Sequence, residues 1–142
     1  MAPWALPALL AAGCIAVHYL TLRAASGRIG PALGALVLEG AAALGILLLW
    51  LTRIAPTGPT HAGGVFWSAV SGLCISGASV LLFVALRLGG HVAATGTLVL
   101  GGGVAISALV APFLFGETFT VRRAVGVALG LAGVAVLSTD RS

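Results

Sequence analysis

The chain has 142 residues, of which 60% are hydrophobic and 7% are charged, with a formal net charge of +4. Soluble domains carry about 25% charged residues, so this composition excludes a soluble enzyme, a nucleic-acid-binding module and a disordered chain. The seven basic residues are all arginines, spread one or two per loop without a basic stripe, and we expect no nucleic-acid partner. The long, unbroken apolar runs predict an all-α integral membrane protein in contact with the lipid bilayer.

Five apolar runs predict five transmembrane helices within a single membrane domain, residues 1–142. A helix needs about 20 apolar residues to cross about 30 Å of hydrocarbon. The predicted spans cover residues 4–22, 32–52, 65–86, 92–115 and 120–137. We interpret the first run as a retained helix, because no basic residue precedes it as one would in a signal peptide.

The first span carries Cys14 and His18, which lie four residues apart and therefore on one face of a helix. His18 is a candidate for proton relay, and the alternative is an ordinary interfacial imidazole. Neither Cys14 nor Cys74 belongs to a CxxC motif or a His/Cys cluster. The sequence therefore predicts no metal site, no cofactor and no disulfide framework.

The second span contains the main candidate for chemistry, Glu39. It lies about eight residues into the span, roughly 12 Å from the interface at 1.5 Å per residue. An acid at the bilayer centre costs roughly 2.5–3.5 kcal/mol on insertion scales, and such residues normally face a cavity or a partner. We predict that Glu39 exchanges a proton for a cationic substrate. The alternative is a protonated, purely structural Glu39 that hydrogen-bonds a neighbouring helix.

The third span carries four serines: Ser68, Ser71, Ser76 and Ser79. Together with Gly72, three of them follow a spacing of four, four and three residues, which is typical of one helix face. Such a stripe can line a polar pathway for a substrate, and we take Ser68, Ser71 and Ser76 as candidate binding residues. Equally, each hydroxyl can bond its own helix backbone and leave only a close-packed surface.

Glycine is frequent, with 21 residues, and three glycines in succession, residues 101–103, lie near the middle of the fourth span. Each glycine weakens a helix by up to about 1 kcal/mol relative to alanine, so we expect a loosened backbone and a binding or bending point around Gly102. Small residues also recur four apart, which favours close helix packing in a bundle. These sets are Gly30/Gly34, Ala41/Gly45, Ser68/Gly72/Ser76, Thr97/Gly101 and Gly126/Gly130.

Five spans place the termini on opposite sides of the membrane, and the arginines are nearly balanced between those sides. One side receives Arg23, Arg28, Arg87 and Arg141. The other receives Arg53, Arg122, Arg123 and the α-amine. Because lysine and arginine bias sets orientation, this balance favours insertion in both directions and an antiparallel homodimer. The alternative is that a partner or the hydrophobicity of the spans fixes one orientation.

Residues 116–134 read GETFTVRRAVGVALGLAGV. This segment resembles the end of an EamA-type repeat of the drug/metabolite transporter superfamily. The matching positions are Gly116-Glu117, Thr120, Gly126 and Gly133-Val134. The chain departs from that pattern in the fourth span, where Ser107 stands in place of the usual proline and Pro112 lies closer to the end. We expect Glu117 to complement the start of the fifth helix rather than to act in transport.

EamA-type proteins usually contain two such repeats in inverted topology, and this chain has the length of one. The resemblance therefore implies that it pairs in antiparallel fashion with a second copy, as a homodimer, or with a similar chain, as a heterodimer. It also implies residence in a bacterial inner (plasma) membrane.

We see no Ser/His/Asp constellation or paired carboxylates in the sequence, so we do not expect an enzyme. The predicted function is a secondary transporter, a proton-coupled exporter of a small metabolite or of a cationic or amphipathic compound, acting as an inverted dimer. Two alternatives stay open. One is half of a flippase for a lipid-linked substrate, and the other is a non-transporting membrane subunit of a larger complex.

Overall fold

A computed structural model of the chain describes residues 4–54, 56, 58–116, 118 and 120–138, with side chains as far as Val136. These residues form five α-helices and no β-strand. The helices are α1 (Ala5–Ala25), α2 (Pro31–Leu51), α3 (Ala62–Arg87), α4 (Val92–Phe115) and α5 (Val121–Ser138). Each helix lies where the sequence predicts a span, and its ends fall within three residues of the predicted ones.

Four of the helices in the described residues, α1 to α4, are long and apolar enough to cross a membrane. At most 17% of the most apolar stretch of any of them is buried in the chain itself. Because a water-soluble surface does not expose apolar area on this scale, these helices are consistent with an integral membrane protein. Helix α5 has 18 residues and carries Arg122 and Arg123 in its first turn, and its crossing of the membrane stays a prediction.

Glycine and proline set the helix ends. Gly27, Gly89 and Gly116 have positive φ angles of 82°, 100° and 65°, which side chains with a Cβ rarely adopt. Gly116 is the left-handed cap of α4, and its N–H donates to the carbonyl of Pro112 at 3.1 Å. Pro31 occupies the first turn of α2, where its missing N–H leaves no helical bond unmade.

The loosened backbone that we expected around Gly102 is not present, because α4 runs as a continuous α-helix through its three central glycines. Packing against α5 accounts for one of the three glycines. A Cβ built on Gly101 would lie 2.8 Å from Cγ2 of Val134 in α5, so the glycine lets the two helices approach closely. Pro112 lies in the last turn of α4 and has no backbone N–H to donate to the helix.

The chain divides into two compact units. The first contains α1 as far as Leu20 together with the residues from Gly89 onward, and the second contains residues Thr21–Leu88. The single membrane domain expected from the sequence stays a prediction.

In the first unit, larger side chains of α1 and α5 pack against small residues of α4. The buried ring of Tyr19 lies on Gly96, where a Cβ would come within 3.3 Å of the ring. Val134 is buried against Gly101, and Ala105 is buried one turn further along α4.

In the second unit, α2 and α3 pack through one face of each helix. The buried residues of α3 recur at the spacing of a single face, and they are Ser79, Leu82, Phe83 and Leu86. On α2 the buried residues are Gly34 and Ala35. A Cβ on Gly34 would lie 2.7 Å from the Phe83 ring, so the absence of a side chain at this position makes room for that ring.

Candidate functional site

Glu39 of α2 and Ser79 of α3 meet at the interface between these helices. The Ser79 hydroxyl donates to Oε1 of Glu39 at 2.6 Å. Glu39 follows Pro31 by eight residues and Ser79 precedes Arg87 by eight, so both lie about 12 Å from the same end of the helix pair. Ser79 is buried and Glu39 is half-buried.

The serine hydroxyl suits either protonation state of this carboxyl group. It donates to a carboxylate, and after rotation it accepts from a carboxylic acid. The chemistry of the Glu39–Ser79 contact is therefore compatible with a carboxylate and with a carboxylic acid at Glu39. This chemistry allows a proton to be exchanged without breaking the contact between the two helices.

An apolar layer separates this pair from the nearer helix ends. Phe83 is 3% exposed and Leu86 is fully buried, one and two turns after Ser79. Gly34 lies opposite Phe83 on α2. The carboxyl group of Glu39 is therefore covered on this side by packed side chains.

On the other side of the pair, the faces of both helices are uncovered within the chain. From Gly40 to Leu51 every residue of α2 is exposed, and from Ala62 to Ala78 α3 is exposed apart from the half-buried Val70. Glu39 thus marks the point where helix packing ends and exposed helix surface begins.

The serines predicted from the sequence lie on this exposed part of α3. Ser68, Ser71 and Ser76 are all exposed, and none of them is brought to Glu39. The Ser76 hydroxyl donates to the backbone carbonyl of Gly72 at 3.0 Å, which is the backbone-bonding alternative considered above. Ser79, the last serine of the predicted face, is the one that contacts the carboxyl group.

The other predicted site residues lie in the first unit. His18 is half-buried in α1, with its ring edge-on to Tyr19 at a centroid distance of 5.5 Å. Gly102 is half-buried in α4, and a Cβ built there would meet no atom within 4 Å. The close approach in α4 belongs instead to its neighbour Gly101.

Glu117 lies outside the described residues. At the start of α5, the Thr120 hydroxyl accepts from the backbone N–H of Arg123 at 3.3 Å, and the Thr120 carbonyl accepts from the N–H of Ala124 at 3.0 Å. Thr120 is therefore an N-cap of α5.

Ser79 contacts Glu39, but it is not among the candidate binding residues predicted from the sequence. Its membership of the serine face was visible, but its contact with Glu39 spans 40 residues and depends on how α2 and α3 are aligned. Among the described residues, no three His, Cys, Asp or Glu side chains are grouped so as to hold a metal ion.

Comparisons of this chain with protein-family models, with curated proteins and with solved structures find no match.

Proposed function

We propose that this chain is half of a secondary transporter similar to the drug/metabolite superfamily, and that it exports a small cationic or amphipathic compound in exchange for protons. Glu39 is the proton- and cation-binding residue. Two copies in opposite orientation, or this chain and a similar one, form the complete transporter.

One observation supports this proposal above the others: an acid lies about 12 Å inside an apolar helix and keeps a hydroxyl partner that tolerates both protonation states. An acid at that depth is costly, and intramembrane acids commonly mark proton or ion pathways. The half-buried position of Glu39 leaves the group accessible at the edge of the α2–α3 interface.

The exposed faces support a paired assembly. Beyond Glu39, α3 presents Ser68, Ser71 and Ser76 on exposed surface. Polar residues within membrane-spanning helices normally face protein or a water-filled cavity rather than lipid. A second copy covering this part of α3 would place these serines along a cavity that reaches Glu39.

Substituting Glu39→Gln tests the assignment. Glutamine retains the hydrogen bond with Ser79 but cannot release a proton, so a structural role survives the change and a coupling role does not. We expect vesicles containing the variant to lose substrate-dependent proton flux, measured with an internal pH dye against a panel of small organic cations.

The matched control is Glu117→Gln, the same chemical change at an acid predicted outside the hydrocarbon. We expect this control to retain proton-coupled flux, with both variants inserted and helical by circular dichroism. Unaltered coupling in the Glu39→Gln variant would remove the role that we assign to this residue.

A further inference from the structure

Three of the arginines surround one cavity in the second unit. The cavity has a volume of about 400 Å³. Its lining consists of Arg23, Ala24, Ser26, Gly27, Arg28, Leu86 and Arg87. In the sequence these three arginines are single, separated charges. In the fold they lie together at the end of the α2–α3 pair that is nearer to Glu39.

Each arginine reaches this cavity for a local structural reason. Arg23 lies in the last turn of α1, and its Nη1 donates to the backbone carbonyl of Leu86 at 2.8 Å. Arg87 lies in the last turn of α3, where a cation complements the helix C-terminus. Arg28 follows Gly27, whose φ of 82° turns the chain sharply, and the Arg28 N–H donates to the carbonyl of Ala25 at 3.0 Å.

No acid of this unit lies beside the three guanidinium groups. The sequence has one acid between residues 21 and 88, Glu39, and it lies about 12 Å along α2 beyond the layer formed by Phe83. Three like charges around one cavity repel each other, and an anion bound among them would lower this repulsion. All three arginines are also exposed, so the cavity is open to a ligand from the membrane interface or from water.

We propose that this arginine cavity binds a phosphate group, supplied either by the headgroup of an anionic phospholipid or by free inorganic phosphate. A guanidinium presents paired N–H donors that match phosphate oxygens, and the bond from Arg23 to Leu86 uses one of its five donors. Basic pockets between helix ends are suited to lipid headgroups, because these ends lie at headgroup depth. This site is independent of the transport role proposed for Glu39.

The test uses the purified full chain in an uncharged detergent and follows thermal unfolding by intrinsic tryptophan fluorescence. A ligand that binds the folded state raises the unfolding midpoint in a concentration-dependent manner. Three additives are compared at matched ionic strength: phosphatidylglycerol, phosphatidylcholine with the same acyl chains, and inorganic phosphate.

We expect phosphatidylglycerol or inorganic phosphate to raise the midpoint and phosphatidylcholine to leave it unchanged. In the variants Arg28→Gln and Arg87→Gln, the half-saturating concentration should increase about fivefold, which corresponds to the loss of about 1 kcal/mol per arginine. Arg53→Gln is the matched control, because it removes the same charge from an exposed residue that does not line the cavity.

The additive that acts identifies the source of the phosphate group. A response to phosphatidylglycerol alone indicates a lipid headgroup, and a response to inorganic phosphate indicates the free ion. The proposal is overturned if neither additive raises the midpoint, or if Arg53→Gln weakens the response as much as the cavity variants do. Should Arg28→Gln lose its helicity, Arg28→Lys keeps the charge without the paired donors, and it should weaken the response too.

Discussion

Gly34 shows how a single hydrogen atom in place of a side chain decides the packing of two helices. A Cβ at this position would lie 2.7 Å and 2.9 Å from two atoms of the Phe83 ring and 3.1 Å from Cγ2 of Ile29. Phe83 is 3% exposed, so its ring has little space into which to move. The glycine therefore sets the distance between α2 and α3 in the layer that lies between the Glu39–Ser79 pair and the nearer helix ends.

We expect Gly34→Ala to destabilise the protein. Alanine gains up to about 1 kcal/mol in helix propensity, whereas overpacking a buried contact costs about 1–3 kcal/mol, so the net effect is a loss of up to about 2 kcal/mol. The measurement is the free energy of unfolding in mixed micelles, followed by circular dichroism.

Gly40→Ala is the control for this prediction, because Gly40 lies in the same helix and a Cβ there meets no atom within 4 Å. Only the propensity gain applies to this variant, which should be as stable as the wild type or slightly more stable. Equal stability of the two alanine variants would show that the contact between Gly34 and Phe83 does not limit packing.

The sequence located the deep acid but not its partner, and the reason is geometric. The depth of Glu39 follows from counting residues along one helix, which needs no knowledge of the other helices. Its contact with Ser79 requires the alignment of α2 against α3, and several serines of α3 share the pattern. A shift of one turn along α3 would bring a different residue to the carboxyl group.

At the scale of the helices, prediction succeeded because arginine, glycine and proline interrupt the apolar runs. Within α4 it was less specific, since Gly101 and Gly102 are neighbours and differ by about 100° in direction around the helix axis. Only Gly101 faces Val134 closely, and Gly102 has open space. Hydropathy describes how apolar a helix is, but not which of its faces meets another helix.

The start of α5 offers a test at this scale, because Thr120 accepts from the N–H of Arg123 at 3.3 Å. We expect Thr120→Val, which removes the hydroxyl at nearly constant volume, to weaken the first turn by about 1 kcal/mol. Amide hydrogen exchange of Arg123 should then be about fivefold faster.

Thr118→Val serves as the control, because it makes the same replacement at an exposed position before the helix cap. Exchange of the Arg123 amide should be unchanged in this variant. If both valine variants exchange alike, the Thr120 hydroxyl does not protect the first turn of α5.

At the scale of the whole molecule, the distribution of arginines and the exposed helix faces both bear on the orientation of the chain in the membrane. Five spans would place four arginines on one side and three on the other. The exposed part of α3 needs a protein neighbour if its serines, Ser68, Ser71 and Ser76, are to avoid lipid. An oppositely oriented copy would satisfy both conditions, and we expect a chain with so little arginine bias to insert in either direction.

Reporter fusions at the C-terminus test this orientation, and arginine variants on the two sides sharpen the result. We expect signal from a cytoplasmic and from an external reporter for the wild type. Removing Arg122 and Arg123 leaves one arginine on the side of the N-terminus and four on the side of the C-terminus. The signal should then shift toward the orientation with the C-terminus inside. Removing Arg28 and Arg141 leaves two arginines on the side of the C-terminus and three on the side of the N-terminus, and should shift the signal toward the opposite orientation. A wild-type chain with signal on one side alone, unmoved by either pair of substitutions, would contradict dual insertion and favour assembly with a different partner.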